Sequence, residues 1–312
     1  MATGDRFDAL QRFTFDNTPV RGETVSIQSA WQHIVGLHAY PQPVRDLLGQ
    51  MLAAAALLSS TLKFDGALVM QLHVDGDVPL LVCECHADLG LRATAKIQAG
   101  AEIADGTSFR ELMNREGRAR MAITLDPRDR QPGQQAYQGI VPVEGDSIAE
   151  VLEGYMLRSE QIETRLWLAA DERSAAGMLL QRLPPDRDAI DPAAVDAERW
   201  SHLQQLADTL KDAELLELPP VEVVRRLFWD DAARVYEPRP VRFVCSCSLA
   251  KVGAMLEMLG RAEIDSVLEE FGEVRVNCEY CNTAYVFDAV DVAQLFADAA
   301  VARTAQASGA RH

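Results

Sequence analysis

Near the C-terminus the chain reads Cys245-Ser246-Cys247, then thirty intervening residues, then Cys278-Glu279-Tyr280-Cys281. Thiolate pairs separated by a foldable spacer are how a chain surrounds one tetrahedral zinc ion. The second pair has the usual knuckle spacing. The first is tighter, and places two sulfurs where they could bind a metal together or oxidise together. Four thiolates with no open position make a structural site. Bound zinc also keeps thiols ionised, and the thiolate is the form that reacts with oxidants. A metal that only holds the fold and a metal that reports on redox state both remain open on spacing alone.

Outward from the cysteines, Val241 to Ala300 reads as one small unit. Ser248 can cap a helix whose apolar positions Leu249, Val252, Leu256 and Leu259 recur at helical spacing, and Gly260 can stop it. A second helix carries Ile264, Val267, Leu268 and Phe271 and stops at Gly272. Val274 and Val276 lead as a strand into Cys278, and Tyr285 and Phe287 alternate out of Cys281. The Cys-x-x-Cys therefore belongs on a hairpin tip, with a last helix near Val290 to Phe296. About sixty residues make a thin core, so metal binding would supply much of the folding free energy.

Upstream, Pro184 to Pro238 holds thirteen acids against six bases, a net charge of −7. Two amphipathic helices are expected, near Val195 to Leu210 and Val221 to Trp229, separated by Pro219-Pro220. Their apolar stripe (Leu203, Leu206, Leu210, Val224, Leu227, Phe228) needs a surface to cover. An ordinary helical subdomain and a linker packed on another part of the chain both satisfy that need.

The first 183 residues mix strands and helices. Phe13 to Phe15 and Gly22 to Ser29 look extended. Val44 to Leu62 reads as a buried helix rich in Leu and Ala. Ala67 to Val74 and Leu80 to Cys85 form a hairpin about Asp75-Gly76-Asp77. Met121 to Leu125 and Gln138 to Val143 are further strands. Ser147-Ile148-Ala149-Glu150 has the spacing of a capping box, with the Glu reaching back to the Ser amide. It starts a helix from Ile148 to Arg158, after which Ile162 to Leu168 alternates as a strand. The order is α+β rather than a regular βαβ series. The expected division is a core at 1–183, a helical linker at 184–240, a cysteine unit at 241–300 and a flexible tail at 301–312.

A net charge of −17 over 312 residues repels phosphate backbones and argues against nucleic-acid binding. Nothing in it points to anionic membranes, and the most apolar stretch, Leu47 to Phe64, is interrupted by Gln50, Ser59, Ser60, Thr61 and Lys63. Met1 to Asp8 lacks a signal-peptide pattern. Six cysteines then suggest a reducing, cytoplasmic setting, where clustered thiols mean metal or redox chemistry more often than structural disulfides.

Competing chemistries fail on particular residues. A zinc deaminase needs His-x-Glu beside its Cys-x-x-Cys, and none of the six histidines has Glu two positions on. A thioredoxin-like motif would sit between a strand and a helix, whereas this one lies between strands. A nucleic-acid-binding ribbon should be basic, yet residues 241 to 300 carry ten acids and four bases. Cys83 and Cys85 form a second Cys-x-Cys beside His86. On a strand they share one face, and buried core thiols are the simpler reading beside a second metal or redox site. No catalytic residue is identified.

The cysteine pattern and several further blocks resemble the redox-regulated zinc holdase chaperones, the 33 kDa heat-shock chaperonin family. The blocks are Phe243-Val244-Cys245-Ser246-Cys247-Ser248, Val276-Asn277-Cys278-Glu279-Tyr280-Cys281 and Tyr285-Val286-Phe287-Asp288. Tyr137-Gln138-Gly139-Ile140-Val141-Pro142, Ser159-Glu160-Gln161-Ile162-Glu163-Thr164 and the run from Ala176 to Pro184 join them. The resemblance covers nearly the whole chain. It implies an α+β core, a helical linker and a four-cysteine zinc domain, with one zinc per chain on Cys245, Cys247, Cys278 and Cys281 in a nearly inactive reduced form. It implies oxidation to disulfides Cys245 with Cys247 and Cys278 with Cys281, zinc release, unfolding of the linker and capture of unfolding proteins. It also implies a homodimer when active, no use of ATP and no enzymatic activity. Cys83 and Cys85 lie outside the family's switch motif. The alternative from another class is a constitutive zinc-stabilised interaction module with no redox response.

Overall fold

One helix, Gln42–Thr61, sits at the centre of the larger part of the molecule, and thirteen of its twenty residues are buried. The computed structural model describes residues 7–16, 18–113, 117–129, 136–184 and 192–298. The expected tail, and the first residues of the expected linker after Pro184, lie outside them. The chain divides into two compact units, Met1–Val244 and Cys245–His312.

In chain order the first unit runs β1 (Ala9–Phe15), β2 (Val20–Ile27), α1 (Ser29–Leu37), α2 (Gln42–Thr61), β3 (Gly66–His73), β4 (Leu80–His86) and β5 (Gly90–Lys96). It continues α3 (Phe109–Met113), β6 (Arg120–Pro127), β7 (Tyr137–Pro142), α4 (Ile148–Arg158), β8 (Glu163–Ala170) and β9 (Ala175–Arg182). Then come α5 (Pro192–Ala207), α6 (Asp212–Glu217), α7 (Pro220–Leu227) and the short strands β10 (Ala233–Val235), β11 (Arg239–Pro240) and β12 (Arg242–Phe243). Sheet I has the order β10-β1-β2-β9-β8, with β11 also beside β1; sheet II has the order β12-β5-β4-β3-β6-β7. Every pairing is antiparallel except that of β12 with β5.

The central helix lies between the two sheets. Leu10, Val25, Ile27 and Leu179 of sheet I and Leu68, Met70, Leu81 and Leu91 of sheet II share one core with its Leu48, Met51, Leu52 and Leu57. Small residues bring the layers close. A Cβ on Gly49 would lie 2.5 Å from the Ala170 Cβ and 3.0 Å from the Trp31 ring. Pro43 falls in the first turn, where its missing N–H costs no intrahelical bond.

The outer face of sheet I carries a second core, and the linker helices cover it. Phe13, Phe15, Val20, Met178 and Leu180 point outward and pack under Trp200, Leu203, Ala207, Leu215, Val223, Val224 and Phe228. The stripe read from the sequence is thus satisfied by the sheet, with Leu206, Leu210 and Leu227 half-buried at its margin. Phe228 makes an edge-on contact with Phe15 at 5.0 Å and a tilted one with Phe13 at 5.6 Å. Gly22 leaves room for the Phe13 ring, which a Cβ there would strike at 2.1 Å. Two indoles add direction: Trp200 Nε1 donates to Glu163 Oε1 at 2.8 Å and Trp167 Nε1 to Asp208 Oδ1 at 3.1 Å.

Residues 241–244 leave the linker along sheet II. Arg242–Phe243 runs parallel to Gly90–Leu91, Val244 N donates to Leu91 O at 2.9 Å, and the Phe243 ring makes a tilted contact with His33 at 4.3 Å. These four residues therefore sit with the first unit, ahead of the cysteines.

The second unit holds α8 (Leu249–Leu259), α9 (Arg261–Phe271), the hairpin β13 (Val274–Asn277) and β14 (Ala284–Phe287), and a helix over 289–298. Its buried core is small: Leu256, Ile264, Val274, Phe287 and Val292. Gly260 at φ +94° and Gly272 at φ +77° end the two helices where the sequence placed the stops.

Candidate metal centre

Two local devices bring the cysteine motifs to their places. Ser248 caps α8, its hydroxyl accepting from Lys251 N at 3.2 Å, and so ends the extended run that carries Cys245 and Cys247. In the hairpin, Cys278 N donates to Thr283 O at 2.9 Å and Asn282 N to Cys278 O at 2.8 Å. Asn282 takes φ +58°, the left-handed region that asparagine tolerates better than most residues.

All four sulfurs lie within 4.8 Å of one another. Cys245 Sγ is 3.7 Å from Cys278 Sγ, and Cys247 Sγ is 3.4 Å from Cys281 Sγ. A tetrahedron with arms of ~2.3 Å has edges of about 3.8 Å, so the cluster has the size of a four-thiolate metal site. None of the four is in a disulfide, and all are half-buried. The donor set is all sulfur, the chemistry that zinc and other soft cations take. The structure thus gathers the four residues that the sequence singled out, in positions to hold one metal ion.

The surroundings of two of the thiols disfavour their charged form. Burial pushes the Cys245 thiol up to about 12 and also raises Cys278. Burial opposes ionisation of Cys281 too, but hydrogen bonds with Thr283, Cys247 and Cys245 together outweigh it and bring that thiol down to about 6. Four thiolates this close repel one another, and a positive ion removes that penalty.

Two neighbours of the sulfurs were not read as functional from the sequence. The Tyr285 hydroxyl donates to Cys247 Sγ at 3.1 Å, and the Thr283 hydroxyl lies 3.2 Å from Cys281 Sγ. Such outer contacts orient metal ligands. Strand alternation placed Tyr285 on a face of the hairpin, but it carried no signal for a sulfur 38 residues earlier.

Cys83 and Cys85 are fully buried and face α2 as part of the main core. Cys83 Sγ lies 3.7 Å from Leu48 O, and Cys85 Sγ 3.4 Å from His86 O. Desolvation raises both thiols, Cys85 to about 12. On the opposite face of the strand, Glu84 pairs with Arg92 at 2.5 Å and with His86 at 3.0 Å. The metal-capable cluster found among the described residues is the C-terminal one, so the core reading of Cys83 and Cys85 fits the structure.

Sequence and fold comparisons agree with this architecture. The family model described as Hsp33 protein matches residues 8–288. The chain is 48% identical over 290 residues to the 33 kDa chaperonin of Methylobacillus flagellatus, covering 93% of this chain and 94% of that one. It is 47% identical over 292 residues to the 33 kDa chaperonin of Azotobacter vinelandii, covering 93% and 95%. The crystal structure of the 33 kDa chaperonin (heat shock protein 33 homolog) of Thermotoga maritima superposes with a TM-score of 0.75 at 21% identity, over 92% of this chain and 97% of that one. The chain belongs to the Hsp33 family of chaperones. Among the described residues, no helix is long and apolar enough to cross a membrane.

Proposed function

We propose that the protein is a redox-regulated, ATP-independent holdase that is inactive when reduced and zinc-bound. The observation that carries the reading is the gathering of four reduced cysteines, from two motifs far apart in sequence, at tetrahedral separations. Cys245, Cys247, Cys278 and Cys281 would hold one zinc ion per chain. The bound ion would cross-link the unit and keep the thiols ionised. Its small apolar core makes folding of the second unit depend on that cross-link.

Oxidation would pair Cys245 with Cys247 and Cys278 with Cys281. Formation of each disulfide passes two electrons from a pair of zinc-bound thiolates to the oxidant, and the thiolates have no proton to release. With hypochlorous acid, one equivalent per disulfide takes up one proton from the medium and becomes chloride and water. Every ligand is then lost, and the second unit unfolds with the metal released. The linker follows, and the outer face of sheet I is uncovered: Phe13, Phe15, Val20, Met178 and Leu180 on the sheet, Trp200, Leu203 and Phe228 on the linker. Those two surfaces are the proposed binding sites for unfolding proteins. The active form is proposed as a homodimer, acting in the cytoplasm without enzymatic turnover. Neither nucleic acid nor membrane is a proposed partner.

The test is suppression of aggregation of a heat-unfolding model protein by the reduced zinc-loaded chain and by the oxidised chain, with released zinc counted in the same samples. Protection only after oxidation, with about one zinc lost per chain as a four-thiolate site requires, is the expected result. Equal protection in both states, or zinc retained on oxidation, would instead define a constitutive zinc-stabilised interaction module.

A further inference from the structure

We infer that Asp231 is a positioning residue that clasps the two ends of the linker together and holds it closed over sheet I. Its structural half stands on geometry alone; its functional half rests on the holdase reading. Asp231 follows α7 in a turn where its amide donates to Phe228 O at 3.1 Å. It is only 6% exposed. Its carboxylate reaches back to α5, where Arg199 Nη1 lies 2.7 Å and His202 Nε2 3.1 Å from the same oxygen. Arg199 Nη2 also donates to the Asp231 carbonyl at 3.4 Å. Arg199 and His202 are three residues apart and share a helix face.

The flanking backbone fixes the carboxylate. Phe228, three residues earlier, is locked between Phe13 and Phe15. Ala232, the next residue, takes φ +49°, a left-handed conformation uncommon for a residue with a Cβ. The chain then enters β10, which pairs with β1. A charge this buried is stable only when paired. The apolar contacts under the linker are non-directional and do not by themselves fix how α5 sits against α7. The clasp supplies that register and makes the helices open together.

The test is hydrogen exchange on the full chain, reduced and zinc-loaded. Asp231→Asn keeps the shape and removes the charge; Arg199→Met removes the nearer of its two side-chain partners and leaves His202. Each is expected to speed amide exchange over residues 197–227 by about tenfold or more, as loss of a buried charged hydrogen bond does, with zinc retained and α2 unchanged. Both variants break the Arg199–Asp231 pair, so the double variant should fall well short of the product of the two single effects. Wild-type exchange in Asp231→Asn, or multiplicative effects in the double variant, overturns the clasp. Glu198→Gln, on α5 beside Arg199 but exposed, is the control and should stay near the wild-type rate. Should Asp231→Asn also loosen α2, Arg199→Met carries the test, since its side chain is one-third exposed.

Released linkers in the single variants are expected to protect a heat-unfolding model protein without oxidant. A loosened linker without protection, in a chain whose oxidised wild type does protect, overturns the functional half. No protection by oxidised wild type is failure of the holdase reading instead, and the exchange result still decides the clasp.

Discussion

At the scale of single residues, the four sulfurs and their two outer partners differ in what each contributes. Cys245→Ser removes a ligand and should lower zinc affinity by more than about a hundredfold, beyond the ~10–100-fold that loss of an outer partner costs. Tyr285→Phe removes the hydroxyl that donates to Cys247 Sγ and should cost about tenfold, at the lower end of that range. Competition with a chromogenic chelator measures both, and wild-type affinity in Cys245→Ser would contradict the four-thiolate assignment. The core thiols behave differently. Cys83 and Cys85 are buried against α2, and desolvation disfavours their thiolates, the form that reacts with alkylating agents. The native chain stripped of metal should therefore lose four thiols to a maleimide and all six only in denaturant.

At the scale of elements, burial and capping carry different weights. Phe228→Ala empties the aromatic contact that seats the end of α7 and should weaken linker docking by about 3–5 kcal/mol, read as faster exchange over α5 to α7. Ser248→Ala removes a helix cap and should cost about 1 kcal/mol of the second unit's stability, read in denaturant with zinc fixed. The same contrast governs what the sequence disclosed. Elements with their own end signals were legible: α4 begins after Ser147, whose hydroxyl accepts from Glu150 N at 3.2 Å, and α8 lies between Ser248 and Gly260. The capping box differs in one detail, because Glu150 accepts from Asp146 N at 2.8 Å rather than from the Ser147 amide. Strand β9 had no signal of this kind. Buried on both faces, between the two cores, it reads Ala-Ala-Gly-Met-Leu-Leu without alternation. The two-residue strands β11 and β12 are too short for any periodicity. At the site, ligand spacing revealed the four cysteines, whereas Tyr285 and Asp231 act across 38 and 32 residues and leave no local pattern.

At the scale of the whole molecule, two units with unequal cores should respond unequally to metal removal. Chelation should unfold the second unit, whose core among the described residues is five buried side chains, and leave α2 and the two sheets folded. Hydrogen exchange with and without chelator tests this, and loss of protection throughout α2 would contradict it. The contacts between the two cysteine motifs carry one more consequence. Cys245 and Cys278 meet across 33 residues, and Cys247 and Cys281 across 34. A bond to one ion therefore closes a long loop, a constraint worth about 3–4 kcal/mol by the chain-entropy relation for disulfides. Disulfides within each motif close loops of only three and four residues. Under the proposed pairing, oxidation adds two covalent bonds and yet leaves the chain topologically freer, because both new bonds are local and the one link between distant segments is gone.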